Sequence, residues 1–140
     1  MKPMIWTVLI FIIVIAGWHW FEGRRDKTLF AADEGKVCVN LHAAEAKTFL
    51  ESHPETQVLD VRSDAEFRGG ALPGAIHVSI GAAEFDQKVS KLNKAKPVLV
   101  YCAGGMRSRQ AVGRLKALGF ENIQHLHRGF HHVLQDGQVR

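Results

Sequence analysis

The chain has 140 residues, of which 46% are hydrophobic and 23% charged, with a formal net charge of +4. Those proportions fit a globular protein of one ordinary domain and exclude a disordered chain, a collagen-like repeat and a disulfide-stapled mini-protein. The average conceals a division, because Trp6, Trp18 and Trp20, the three tryptophans, all fall before Glu22, where Lys2 is the single formally charged residue.

From Met4 to Phe21 the chain has no charged side chain unless His19 is protonated, and Ile, Val, Leu and Phe dominate. About 18 residues at a rise of roughly 1.5 Å make a helix of about 27 Å, enough to cross the hydrocarbon core of a bilayer. Trp6 near one end and Trp18 and Trp20 near the other suit the two headgroup interfaces, where indole is enriched. The β-branched residues of the run favour a strand in water, but lipid favours the helix, which satisfies every backbone group within the segment. A buried core helix is the weaker reading because the run has no polar face. A cleaved signal peptide is also weaker, because Gly17-Trp18-His19-Trp20-Phe21 lacks a small-x-small cleavage pattern. The expectation is a transmembrane anchor over 1–22, in contact with the bilayer through 4–21, and a charged linker over 23–35.

Arg24, Arg25 and Lys27 follow the run and only Lys2 precedes it. That bias places the chain in the cell inner membrane with the following domain on the cytoplasmic side; a signal-anchor with the domain on the periplasmic side is the alternative. The anchor either only localises the domain or also pairs with another membrane protein. Anionic lipid accounts for the basic surplus, and no aromatic-basic interleaving or finger motif points to nucleic acid.

Residues 36–140, about 105 in number, suffice for one modest core. Val37–Leu41 reads as a strand, and 42–52 as a helix with Ala43, Ala46, Phe49 and Leu50 on one side. Val58–Val61 is a short buried strand, 64–68 a helical turn broken by Gly69-Gly70, and Ala75–Val78 another strand. Ala82–Leu92 reads as a helix. Pro97 opens the most apolar strand, Val98–Tyr101. A third helix follows Met106, with Ala111, Val112, Leu115 and Leu118 as its buried stripe; Gly119 caps its C-terminus and Phe120 folds back on the last turn. Ile123–Leu126 is a last strand, and Val133-Leu134 belong to a terminal helix. This alternation predicts an α/β domain with a central, mainly parallel sheet covered by helices on both faces, whose ligands bind beyond the carboxyl ends of the strands.

Cys102 ends the most apolar strand and is followed by Ala103, Gly104, Gly105, Met106, Arg107 and Ser108. A helix N-terminus and a glycine-rich loop concentrate unpaired N–H donors into an anion nest, and Arg107 adds a permanent cation. A thiol there is expected to ionise readily and to act as a nucleophile toward an anion without a separate general base.

Two segments carry a family resemblance. Val58-Leu-Asp-Val-Arg-Ser-Asp-Ala-Glu-Phe-Arg-Gly-Gly-Ala-Leu-Pro-Gly-Ala-Ile-His-Val resembles the Asp-x-Arg, Glu-Phe and Gly-His-Ile-x-Gly-Ala signature of the rhodanese family of sulfurtransferases. Val98-Leu-Val-Tyr-Cys-Ala-Gly-Gly-Met-Arg-Ser resembles its active-site loop. The resemblance implies a rhodanese-like fold over 36–140 and a ping-pong reaction. In that reaction Cys102 takes sulfane sulfur from thiosulfate or a persulfide and yields it to cyanide or a thiol. The terminal sulfur of the Cys102 persulfide would be held by the amides of Ala103 to Arg107. The six-residue loop from Cys102 to Arg107 matches sulfur transfer, whereas a loop longer by one matches the Cdc25-like phosphatases. A persulfide carrier without turnover, and less readily a phosphatase or arsenate reductase, are the alternatives. No cofactor and no metal is implied.

Around the nucleophile, Arg107 either orients an anionic donor or braces the loop through a salt bridge, and Met106 is either pocket rim or core. Asp60, Arg62 and Glu66 are read as ties between strand, loop and turn in preference to acid–base groups, and Ser108 as the cap of the following helix. Cys38 is read as a small buried apolar residue. His125, His127, His131 and His132 are read as a solvated polar face in preference to a metal site. The sequence departs from the family pattern at Ala71, where His is usual, at Arg128-Gly129-Phe130, where a Gly pair is common, and at Val133, where Trp is frequent.

Overall fold

The structure, a computed structural model, describes residues 2–30 and 37–135, with side chains over 6–21 and 37–133. Expectations that fall on 31–36 and 136–140 lie outside the described residues. Helix α1 spans Lys2–Phe30. Its described side chains are mainly apolar and exposed, Trp6, Phe11, Ile13, Trp18 and Trp20 among them. The helix continues past the expected end of the anchor, so residues 23–30, expected as linker, are helical. Among the described residues no helix is long and apolar enough to cross a membrane. What precedes the domain is therefore a helix with exposed apolar side chains rather than a demonstrated span.

The domain places β1 (Cys38–Leu41), α2 (Ala43–Ser52), β2 (Gln57–Asp60), α3 (Asp64–Arg68), β3 (Ile76–His77), α4 (Phe85–Val89), β4 (Val98–Tyr101), α5 (Met106–Ala117), β5 (Ile123–Leu126) and α6 (Gly129–Gln135) in chain order. The five strands form one sheet in the order β1-β5-β4-β2-β3, and every pairing is parallel. Apolar side chains alternate along β4. Val98 and Val100 pack with Phe85, Val89, Ala111, Val112 and Leu115 of α4 and α5, while Leu99 and Tyr101 pack with Ala43, Ala46, Phe130 and Val133 of α2 and α6. Burial on both faces explains why β4 reads as a continuous apolar run.

Local chemistry sets the ends of the elements. The amides of Gly119 and Phe120 close α5 onto Lys116 and Leu115 carbonyls at 3.0 and 3.1 Å, with Gly119 at φ 85°, the glycine stop that the sequence indicated. Helix α4 is shorter than the 82–92 expected. Turn bonds from Ala82 N–H to Ser79 O and from Leu92 N–H to Val89 O, each 3.0 Å, take the place of helical ones at its two ends. Beside Val133, where the family pattern often has Trp, lies a cavity of about 520 Å³ bordered by Leu72, Leu99 and Leu126 and also by Lys47, Glu51 and His53.

β2 and β4 are neighbours with Asp60 opposite Tyr101, so the loops that follow them emerge side by side at the carboxyl edge. Asp60 is fully buried and Arg62 nearly so. The Arg62 guanidinium donates to Asp60 at 2.6 to 3.0 Å and to the Gly70 carbonyl at 2.6 Å, and it lies 4.2 Å from the Phe130 ring centroid. The Tyr101 hydroxyl accepts from the Leu72 N–H at 3.0 Å. Burial and the Asp60 carboxylate hold that hydroxyl well above its ordinary pKa. Tyr101→Phe strands the Leu72 amide in the interior. Urea unfolding is expected to show a loss of about 1–3 kcal/mol, and a change within about 0.5 kcal/mol would contradict this role.

Candidate active site

Cys102 lies one residue past β4 and is 1% exposed. Its Sγ accepts from the Gly105 N–H at 3.1 Å and lies 3.4 Å from the Ser108 hydroxyl. Gly105 is the N-cap of α5 with φ 100°, a left-handed conformation that glycine adopts without a Cβ penalty. The turn brings the N-cap amide back onto the sulfur. Ala103 is half-buried, Gly104 exposed and Gly105 buried. Met106 is 50% exposed, which places it on the rim rather than in the core.

The outer side of the loop is held by α6. The Phe130 N–H donates to Cys102 O at 2.8 Å and the His131 N–H to Ala103 O at 3.1 Å. A trans peptide carries its N–H opposite its C=O, so these bonds turn the Ala103 and Gly104 amides away from α6. Gly129 permits the approach: a Cβ there would overlap the carbonyl oxygens of Cys102 and Ala103, and its φ is +67°.

Arg107 meets Glu66 in a two-pronged ion pair, Nη1 to Oε2 at 2.7 Å and Nη2 to Oε1 at 2.6 Å. Glu66 Oε2 also accepts from the Ser63 N–H at 3.0 Å and hydroxyl at 2.6 Å, closing the capping box of α3. The hydrogen bonds from Arg107 first, and then from Ser63, hold the Glu66 carboxyl well below the usual carboxylate range. Both side chains remain about a third exposed, 37% and 34%, so water and salt screen the pair. In this state Arg107 braces the loop, the second of its two expected roles. Asp60 and Arg62 tie β2 to the Gly70 turn, and Glu66 ties α3 to Arg107 of the Cys102 loop.

Two expectations are corrected. Ser108 does not cap α5, since the N-cap is Gly105; it is fully buried behind Cys102. Its hydroxyl is 3.0 Å from Gly105 O and 2.9 Å from His125 Nε2. The four histidines do not form one solvated face either: His125 is 0% and His127 5% exposed, whereas His131 is exposed and His132 half-buried. His125 Nδ1 is 2.7 Å from Asn40 Oδ1. The sequence reading missed Asn40 and His125 as neighbours of the site, although the polar residues Asn40 and His125 in otherwise apolar strands were a visible signal. Among the described residues no group of His, Cys, Asp and Glu is arranged to hold a metal ion. Cys38 and Cys102 are both buried, and neither is in a disulfide.

Comparison with known proteins agrees with this architecture. The rhodanese-like domain family matches residues 42–136. The chain belongs to that family. Its rhodanese-like domain is similar to part of a tRNA uridine(34) hydroxylase of Cytophaga hutchinsonii, 34% identical over 93 residues that make up 64% of this chain and 30% of the relative. The chain thus spans less than a third of the curated relatives it matches. Among solved structures, a rhodanese-like domain protein from Staphylococcus aureus superposes with a TM-score of 0.60 at 28% identity, covering 67% of this chain and 89% of that one. The rhodanese-like domain of an Anabaena sp. protein gives 0.62 at 31% identity, covering 70% and 74%.

Burial pushes the His125 ring down to about 4, with His127 and Arg109 adding to the effect against a bond to Gly105. An unfolded histidine takes its proton near pH 6.5, so the unfolded chain binds more protons between about 6.5 and 4. Stability from this group is complete above about 6.5 and lost as the pH falls toward 4, by roughly 3 kcal/mol. Urea unfolding at about pH 7 and pH 4.5 should show that loss in the wild type and a smaller one in His125→Gln; equal losses would remove His125 from the account.

Proposed function

We propose that the rhodanese-like domain is a sulfurtransferase, of the thiosulfate sulfurtransferase kind, with Cys102 as nucleophile. The observation that carries this reading is the Gly105 amide on Sγ within a six-residue loop running from Cys102 to Arg107. The Cys102 thiolate attacks the outer sulfur of thiosulfate or a persulfide. A new S–S bond forms, the donor's S–S bond breaks, and its electron pair leaves on sulfite or on the donor thiolate. Cyanide or a thiolate then takes the terminal sulfur, and the electron pair of the broken S–S bond returns to Cys102. The Ala103, Gly104 and Gly105 amides support the charged terminal sulfur, and Met106 forms the rim past which the donor enters. Arg107 serves an anionic donor to the extent that the donor displaces Glu66. The loop cradles one added sulfur rather than a phosphoryl group, which sets this reading above a phosphatase. The partners are small sulfur compounds, and nucleic acid is not among them.

Incubation with thiosulfate should add one sulfur to Cys102 in the intact mass, and cyanide should remove it as thiocyanate over many turnovers. Cys102→Ser should abolish both. Loading without turnover would identify a carrier, and Cys102-dependent phosphate release without loading would overturn the reading.

We further propose that α1 seats the domain at the inner membrane, with the apolar run 4–21 in lipid and the domain on the cytoplasmic side. The tryptophans at both ends of the run and the basic residues after it support this placement. A reporter fused after Arg140 is expected to read as cytoplasmic and to sediment with membranes; periplasmic activity or a fully soluble fusion would refute it.

A further inference from the structure

Behind Cys102, on the side away from solvent, a line of polar atoms crosses the interior. Cys102 Sγ is 3.4 Å from Ser108 Oγ, Ser108 Oγ is 2.9 Å from His125 Nε2, and His125 Nδ1 is 2.7 Å from Asn40 Oδ1. Cys102, Ser108 and His125 are each at most 1% exposed. The line joins the β4 end, α5, β5 and β1, and Asn40 and His125 are register partners on adjacent strands. A buried helix or strand position is ordinarily filled by an apolar residue, and three polar groups in a row there need a reason.

The proton positions follow from the donors and acceptors. An amide oxygen only accepts, so His125 Nδ1 carries a proton and donates it to Asn40. With the serine hydroxyl turned to the ring rather than to the Gly105 carbonyl at 3.0 Å, Nε2 presents a lone pair and takes the Ser108 hydroxyl proton. The remaining lone pairs of the Ser108 oxygen are left for the Cys102 thiol proton. We propose that Ser108 and His125, oriented by Asn40, form an internal relay that takes the Cys102 thiol proton and holds it on His125 Nε2. The S–H bond breaks with its electron pair left on sulfur. The proton bonds to the Ser108 oxygen while the serine's own proton passes to Nε2. The products are a thiolate that accepts from Ser108 and an imidazolium that donates to Ser108 and Asn40. Every polar atom of the line keeps a partner in both forms, and no net charge enters or leaves the interior.

The surrounding charges act on both ends of the line. His127 on the β5 side and Arg109 of α5 oppose a positive ring, as burial does. Arg107 of α5 faces Cys102 and favours a thiolate, although Glu66 of α3 takes up part of its charge. The balance allows one shared proton on the pair and resists a second until about pH 4, where the ring would charge while Cys102 keeps its own proton. Ser108, His125 and Asn40 are positioning residues in this scheme, because none of them touches the sulfur donor except through Cys102.

The inference rests on Cys102 being the nucleophile proposed above, and its test is independent of sulfur transfer. The rate of Cys102 alkylation by iodoacetamide is measured against pH on the full chain, with Cys38→Ala as background. A relay predicts a plateau of reactivity from about pH 4.5 to pH 7, since internal transfer does not depend on pH. His125→Gln retains hydrogen-bonding atoms but cannot hold the extra proton, so its rate should rise about tenfold per pH unit across that range. A plateau retained in His125→Gln, or absent from the parent, overturns the relay. Should His125→Gln fail to fold, nitrogen NMR of the His125 ring in the parent decides. The ring is expected to show a charged fraction at neutral pH that vanishes once Cys102 is alkylated, and a ring neutral throughout overturns the proposal. Failure to load sulfur from thiosulfate, with the plateau intact, would instead count against the sulfurtransferase reading alone.

Discussion

Two hydrogen bonds from the first turn of α6 to the Cys102 and Ala103 carbonyls decide which way the nucleophile's loop faces. With those oxygens engaged outside, the following amides are turned inward, and the loop becomes a donor surface without any side chain contributing to it. The position of α6 depends in turn on its packing. Phe130 and Val133 lie in the apolar layer with Leu99 and Tyr101, and the Arg62 guanidinium covers the Phe130 ring. Asp60 fixes Arg62 in its place. The buried ion pair at the end of β2 therefore reaches the Cys102 loop through an aromatic ring and a helix, so residues remote from the sulfur help to set the loop's geometry.

The two sides of Cys102 differ in dielectric character. In front, Arg107 and Glu66 pair at the surface, where water moderates their fields. Behind, Ser108 and His125 are enclosed and their hydrogen bonds are unscreened. A charge formed on the sulfur is consequently met by fixed dipoles from within and by an adjustable ion pair from without.

Most of the sheet was legible in the sequence, and the reason is its double burial. Val98–Tyr101 needed only its apolar run, and α5 only its stripe and Gly119. Helix α4 was overdrawn because its alanines favour helix while Ser79 and Gly81 direct the chain through turns. The loop from Cys102 to Arg107 was legible because glycine and a positive φ go together. The pocket side of the site was not. Ser108 had the composition of a cap, and only the fold shows that the N-cap place was already taken by Gly105. His125 and Asn40 are 85 residues apart, so nothing local linked them; only the pairing of the first and last strands makes them neighbours.

Glu66 serves two masters at once. One of its oxygens is the cap of α3 and both are the seat of Arg107. Anything anionic that competes for Arg107 at the mouth of the loop leaves Glu66 with the helix cap alone, and anything that unwinds α3 sets Arg107 loose. Occupancy of the site and the order of a surface helix more than thirty residues earlier in the chain are thus two readings of one carboxylate, and an empty loop is the state in which that helix is most firmly begun.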